Sequence, residues 1–277
     1  MPSLRAALIL TAFFALTLPL MPLQHLFVRT RSRFAGTFPR WYHRQVCRLL
    51  GVRIHLTGRI APGAPVLLVG NHVSWLDIPV LSALTPVSFV AKREVATWPM
   101  VGSLARLQRT VFVDRARRGA VAGTADAILS RLAAGDCVVL FAEGTSSDGN
   151  RVLPFRSSLF AAAKPRNAGS EPATAGIVVQ TLAIAYTHQH GLPLGRQGRP
   201  FIAWYGAMEM PAHAWRLLKR GPIDVAVRVG PPVPLDEFPD RKALAGYAEA
   251  RVRTDVTAML TPRHRDAAAK PEPFDVG

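Results

Sequence analysis

Cysteine is nearly absent: Cys47 and Cys137 are the only two in 277 residues. Two are too few for a disulfide framework or a cysteine-based zinc site. Cys137 lies in the apolar run Cys137-Val138-Val139-Leu140-Phe141, where it reads as a core residue rather than a redox centre. The chain lacks a Gly-x-Ser-x-Gly elbow, so a serine-hydrolase triad has little support. It also lacks a second histidine at HExxH-type spacing, which weighs against a metal-dependent hydrolase built on His72, Asp77 and Glu143. No helix-turn-helix, zinc-finger or RRM signature is present. Acidic residues are scarce, with 18 Asp and Glu against 34 Lys and Arg, for a net charge of +16. That excess calls for a polyanionic partner: nucleic acid, anionic lipid, or an acidic carrier or nucleotide-bearing substrate.

What the chain does have begins with an uncharged apolar segment, residues 6–28, rich in Ala, Leu and Phe. Its length is about that needed to cross a hydrocarbon core. It lacks a clear small-x-small cleavage site, so it reads as a retained anchor rather than a signal peptide. Pro19 and Pro22 near its end leave two forms open: a single span, or a helix pair dipping into one leaflet. Arg29, Arg31, Arg33, Arg40, Arg44 and Arg48 follow at once. Such a cluster belongs on the cytoplasmic side, against anionic headgroups. It also places the basic residues beside a membrane rather than on a nucleic-acid surface. Residues 34–50 set Phe38, Trp41, Tyr42, Val46 and Leu49 among arginines. That pattern suits an amphipathic interfacial helix, and equally a helix packed on a globular domain.

A globular domain is expected over residues 51–261, after an anchor and basic helix over 1–50 and before a polar, frayed tail over 262–277. Strands are expected at 52–56, 64–69, 88–91, 111–113, 137–141, 177–186 and 223–229. Helices are expected at 120–134 and 240–260, and loops at 165–176 and 188–200. Strands alternating with helices imply one α/β domain. If its strands run the same way, three polar strand ends converge on one edge: His72 with Asp77, Arg115, and Glu143.

The chain is organised around Gly70-Asn71-His72-Val73-Ser74-Trp75-Leu76-Asp77. An apolar strand leads in and a helix leads out, so this is a strand-to-helix turn, a usual place for an active site in an α/β fold. His72 and Asp77 are five apart and would not share a face of a regular helix. They meet only if the segment bends, which the Gly-Asn entry permits, with Ser74 available as an N-cap. A carboxylate on Nδ1 would leave Nε2 as an oriented base. Taken alone, the pair reads as a half-buried histidine against Trp75 and an aspartate capping a helix; its companions further along reverse that. With no serine elbow to activate, the nucleophile would be a substrate hydroxyl.

Asn71-His72-Val73-Ser74-Trp75-Leu76-Asp77 resembles the NHxSxxD signature of the glycerolipid acyltransferases, the 1-acylglycerol-3-phosphate O-acyltransferase family. Val111-Phe112-Val113-Asp114-Arg115 resembles the second block of that family. Phe141-Ala142-Glu143-Gly144-Thr145, with Leu153-Pro154-Phe155-Arg156, resembles the third, and residues 177–186 the fourth. The resemblance implies a mixed central sheet flanked by helices, with an N-terminal membrane-associated helical segment. It implies that His72 takes the proton of an acceptor hydroxyl while Asp77 holds the imidazole, with acyl-CoA or acyl-carrier protein as the co-substrate. It implies no metal and no cofactor. Arg115, Glu143, Gly144 and Thr145 would bind the acceptor head group, with Lys92 assisting. The expected partners are a lysolipid, the acyl donor and membrane lipids, and not nucleic acid. The expected place is the bacterial inner membrane, with the catalytic domain on the cytoplasmic side.

Three departures from the family's blocks stand out, two of them bearing on the acceptor. Ala142 and Ser146 stand where the third block usually has proline and arginine, and that arginine is a natural phosphate ligand. Arg151 and Arg156 are the nearby substitutes. Gln180-Thr181 replaces a proline of the fourth block, a change that bears on the acyl pocket. The run 141–160, with Trp204-Tyr205-Gly206 and His213-Ala214-Trp215, is similar to a bacterial branch that includes acyltransferases for lyso-ornithine lipid. The first expected acceptor is 1-acyl-sn-glycerol-3-phosphate, giving phosphatidic acid; the alternative is lyso-ornithine lipid. A membrane-tethered basic nucleic-acid-binding protein is the more distant reading.

Overall fold

The computed structural model describes residues 2–113, 120–163 and 176–261. The apolar run before Asn71 shows no alternation, and it forms β2 (Val66–Gly70), buried along its whole length. A strand buried on both faces must lie inside a covered sheet. β2 runs parallel to β5 (Cys137–Phe141) on one side and to β6 (Val178–Gln189) on the other. Beyond β5 come β3 (Ser88–Lys92) and β4 (Val111–Val113), both parallel. Beyond β6 lies β8 (Ile223–Val229), antiparallel, and then β1 (Val52–Thr57), parallel to β8. The order is β1-β8-β6-β2-β5-β3-β4, and β7 (Leu192–Pro193) and β9 (Val233–Pro234) add antiparallel to β6. The sheet is therefore mixed, and the carboxyl ends of β2, β3, β4 and β5 share one edge.

Alternate residues of β2 feed two cores. Leu68 packs with α2 (Phe34–Leu50), α3 (Asp77–Leu84) and α6 (Met210–Leu218) on one face. Leu67 and Val69 pack with α5 (Ala120–Ala133) and α7 (Arg241–Leu260) on the other. Asp240 caps α7, its carboxylate accepting from Lys242 N at 2.7 Å and Ala243 N at 2.8 Å. Two helices have no counterpart in the sequence reading: α6 and α4 (Val101–Leu107). Both are too short to establish a 3.6-residue period. β6 also continues to Gln189 and turns back through β7, so part of the segment expected as a loop is a hairpin. Most of the other expected loop, and the tail from residue 262, lie outside the described residues.

α1 (Pro2–Arg29) is one helix through Pro19 and Pro22. α2 folds back along it: Phe27 lies 5.5 Å from Phe34 and 5.6 Å from Phe38, ring to ring. Thr17 Oγ1 and Tyr42 OH are 2.8 Å apart. A 28-residue helix is roughly 42 Å long, yet both ends of this one are fastened to the protein. Near its start, Arg5 donates to the Leu218 carbonyl on α6. Near its end, Gln24 Nε2 donates to Ala35 O and Leu107 O, each at 2.9 Å. Leu4, Leu8, Leu18 and Leu26 stay exposed along its outer side, with Trp41 on α2. The inner face of α2 packs on the domain, where His43 Nδ1 meets Ser82 Oγ at 2.8 Å and Arg44 Nε donates to Ala83 O at 3.1 Å. Both partners lie on α3, the helix that Asp77 opens.

Candidate active site

β2 ends at Gly70, where a Cβ would lie 2.5 Å from the Leu182 carbonyl oxygen. Only glycine lets the turn leave the sheet this close to β6. Asn71 then pins the turn to β6: its amide donates to Ile184 O and accepts from Ile184 N, both at 2.9 Å. The carboxylate of Asp77, the first residue of α3, folds back over the loop. Oδ2 accepts from His72 Nδ1 at 2.7 Å, Val73 N at 2.7 Å and Ser74 N at 3.1 Å. Oδ1 accepts from Tyr186 OH at 2.7 Å. Asp77 is 0% exposed, and four donors offset the cost of burying its charge. The bend expected between His72 and Asp77 is thus made by the aspartate. Ser74, expected as an available N-cap, does not cap: its Oγ is buried and has no partner among the described residues. The carboxylate has four acceptor positions and takes the N–H groups of Val73 and Ser74, so the turn closes without the serine hydroxyl.

The His72 ring stacks on Phe141 at 4.1 Å and 17°, and its side chain is 18% exposed. A carboxylate on Nδ1 calls for the proton there, which leaves the lone pair on Nε2. An imidazole held in this way by a buried carboxylate has the chemistry to take the proton of a bound hydroxyl. The carbonyls of the turn are fixed as well. His72 O accepts from Ser147 N at 2.8 Å and Val73 O from Trp204 N at 2.9 Å.

The other expected site residues are distributed around this turn. Lys92 ends β3, exposed, on the edge shared with Gly70 and Phe141. Thr145 is exposed, and Gly144 is buried at φ 71°, where a side chain would strain the turn. Glu143 is 1% exposed and lies beneath the turn, with Leu153 N donating to Oε1 at 3.1 Å. Burial, with Asp77 and Glu249 nearby, pushes its carboxyl up to about 8, against the pull of N–H groups of Leu153 and His72. Arg115 lies outside the described residues. Arg151 and Arg156 are exposed, and the Arg156 N–H bonds Ala142 O at 2.9 Å. Ser146 Oγ donates to the Trp204 carbonyl.

Gln180 does not face the edge that carries His72. It lies inside the sheet where β6 changes partner from β8 to β9, and ties two loops: Nε2 donates to Arg59 O at 2.9 Å and Gly230 O at 2.7 Å, and Oε1 accepts from Ala61 N at 2.8 Å. A cavity of about 270 Å³ opens at the amino-terminal edge of the sheet, lined by Gly36, Val66, Ser88, Arg109 and Cys137 among others. It is on the far side from His72.

Sequence reasoning gave no role to Tyr186, read Asn71 only as half of the Gly-Asn entry to the bend, and read Trp204 only as part of a likeness to the lyso-ornithine branch. Tyr186 carried a signal: in the run Leu182-Ala183-Ile184-Ala185-Tyr186 it is the one residue with a polar atom to satisfy, and a buried tyrosine hydroxyl seeks a partner.

Residues 51–185 match the family model described as Acyltransferase. The chain is 49% identical to a lyso-ornithine lipid O-acyltransferase of Brucella abortus (strain 2308), over 94% of this chain and 97% of that protein. It is 34% identical to a 1-acyl-sn-glycerol-3-phosphate acyltransferase of Neisseria gonorrhoeae, over 72% of this chain and 73% of that protein. In fold it is similar to the crystal structure of the 1-acyl-sn-glycerophosphate (LPA) acyltransferase PlsC from Thermotoga maritima. That likeness has a TM-score of 0.64 and 24% identity, and covers 93% of this chain and 97% of that one. The architecture and these likenesses together define an enzyme of lipid biosynthesis that moves acyl groups. The chain belongs to the Acyltransferase family, and within it is a lysolipid acyltransferase.

Proposed function

We propose that this enzyme transfers a fatty acyl group from acyl-CoA or acyl-carrier protein to the free hydroxyl of a lyso-ornithine lipid. The observation that carries the acceptor is the 49% identity to the Brucella abortus protein along nearly the whole of both chains. Identity to the glycerol-phosphate enzyme of Neisseria gonorrhoeae is lower and covers less. The acceptor first expected from the motifs, 1-acyl-sn-glycerol-3-phosphate, therefore becomes the second reading. Ser146 in place of the third-block arginine points the same way, because it removes a cation suited to phosphate.

In the proposed reaction His72 Nε2 takes the acceptor's hydroxyl proton as the oxygen attacks the thioester carbonyl. Asp77 steadies the imidazolium that forms. The tetrahedral intermediate collapses, the C–S bond breaks, and the thiolate leaves with the proton that His72 returns. Lys92 and Thr145 face the head group from the same edge, and Arg115 joins them on the strength of the motif alone. Glu143 and Gly144 act from below, by fixing the turn. The α1–α2 pair, fastened at both ends to the domain, suits a helix pair lying in one leaflet; a span would carry one end away. The arginines after α1 favour the cytoplasmic face of the inner membrane.

The test is thioester consumption by the purified, detergent-solubilised enzyme, with acyl-CoA or acyl-carrier protein offered to lyso-ornithine lipid and to lysophosphatidic acid, and His72→Ala as the blank. Turnover with lyso-ornithine lipid is expected. Turnover with lysophosphatidic acid alone would overturn the acceptor assignment and leave the transfer chemistry standing.

A further inference from the structure

Two tryptophans stand beside the catalytic turn without belonging to either core. Trp98 follows the exit of β3, past Lys92, and Trp204 lies in the segment before α6. Their rings meet edge to face, 5.9 Å apart at 86°. Neither packs into the buried cluster on either face of the sheet. Trp98 remains 36% exposed, so its ring is open to a ligand.

Trp204 is held at three points. Its N–H donates to Val73 O at 2.9 Å, one residue from His72. Its carbonyl accepts from Ser146 Oγ. Its indole N–H donates to Met208 O at 2.8 Å. The indole's one polar group is therefore spent within its own loop, and what the ring can offer a ligand is its π face. Two other exposed rings are already covered by cations of the protein itself: Lys219 lies 5.4 Å over Trp215 and Arg220 4.1 Å over Phe201.

We infer that Trp98 and Trp204 form the head-group end of the acceptor site and take an alkylammonium against their rings, with Ser146 as the positioning residue that locks Trp204. This rests on the proposed acceptor class and names how that class is recognised. A free ornithine side chain ends in an ammonium, which binds indole faces by cation–π attraction. Its carboxylate suits Lys92 on the neighbouring strand end. A phosphate head group would find use for the lysine and none for the rings.

The experiment compares two acceptors, lyso-ornithine lipid and the same lipid with its side-chain amine acetylated, on the wild type and on Trp98→Ala, Trp204→Leu and Ser146→Ala. For the ammonium lipid, each variant is expected to raise KM roughly tenfold with kcat nearly unchanged. For the acetylated lipid, the wild type should already show the raised KM and the variants should add little. Trp98→Ala alters a partly exposed side chain, so it keeps the test open if Trp204→Leu fails to fold. Equal losses on both lipids would overturn the ammonium site while leaving lyso-ornithine lipid as the acceptor. No turnover of lyso-ornithine lipid by the wild type, with turnover of lysophosphatidic acid, would overturn the acceptor class and the ammonium site together.

Discussion

The hydroxyl of Tyr186 on β6 donates to Asp77 Oδ1 at 2.7 Å, on the opposite oxygen from the one that holds His72. Burial, and then the Asp77 charge, push the phenol well above its ordinary range, so it stays a donor. Tyr186→Phe removes one of four donors from a buried carboxylate. A hydrogen bond to a charged group is worth about 1.5–3 kcal/mol, so kcat is expected to fall roughly ten- to a hundredfold. A lower melting temperature with kcat unchanged would reduce Tyr186 to a packing residue.

His72→Ala removes the base and leaves the backbone bonds of the turn in place, since His72 O and the N–H groups of Val73 and Ser74 keep their partners. Activity should fall by about 10²–10⁴, with circular dichroism and vesicle binding unchanged. Asp77→Asn should lose both activity and stability, because Oδ2 serves three donors at once. Substantial residual transfer in His72→Ala would sink the assigned mechanism.

Glu143 links the site to pH. Its carboxyl rises from about 4.5 to about 8 on folding, so the folded state favours the protonated form. The contribution is present in full below about pH 4.5 and is lost as pH rises through about 8. Glu143→Gln, neutral throughout, should therefore gain stability relative to the parent as pH is raised across that window. Melting temperatures of the two proteins at several pH values measure it, and a constant difference would count against a buried neutral Glu143.

Gly70→Ala should be destabilising, because its Cβ would lie 2.5 Å from the Leu182 carbonyl in the central sheet. Overpacking of this kind costs roughly 1–3 kcal/mol, and here it also shifts the entry to the catalytic turn. A denaturant midpoint and a rate measurement on the same preparation check both effects.

The α1–α2 pair predicts sidedness. Ser3 is exposed near the start of α1, and Arg5, two residues on, reaches α6. A Ser3→Cys variant in sealed vesicles should react with an impermeant maleimide from the same side as the catalytic domain. Labelling from the opposite side would mean that α1 spans.

The four blocks in order, the apolar start and the alternation of strands and helices were legible in the sequence, because each is a local pattern of residue types. So was the pairing of His72 with Asp77, once a bend between them was allowed. Glu143 was legible as a residue and not as a place. Its motif pointed to the substrate, whereas the described carboxyl faces backbone N–H groups beneath the turn. α4 and α6 escaped notice because one or two helical turns leave no period to detect. Gln180, legible only as a missing proline, proved to bridge two loops.

The sequence by itself determined the chemistry on offer: a histidine, a carboxylate five residues on, an apolar strand to carry them, and a basic, membrane-seeking start. Those follow from residue type and spacing. Only the tertiary structure decided which atoms meet. The carboxylate, and not Ser74, caps the turn because four donors converge on it from the turn itself and from β6. Tyr186 and Trp204 reach the site from segments 109 and 131 residues beyond Asp77 and Val73, respectively. Contacts across such distances depend on the parallel register of β2 with β6, which no local pattern encodes.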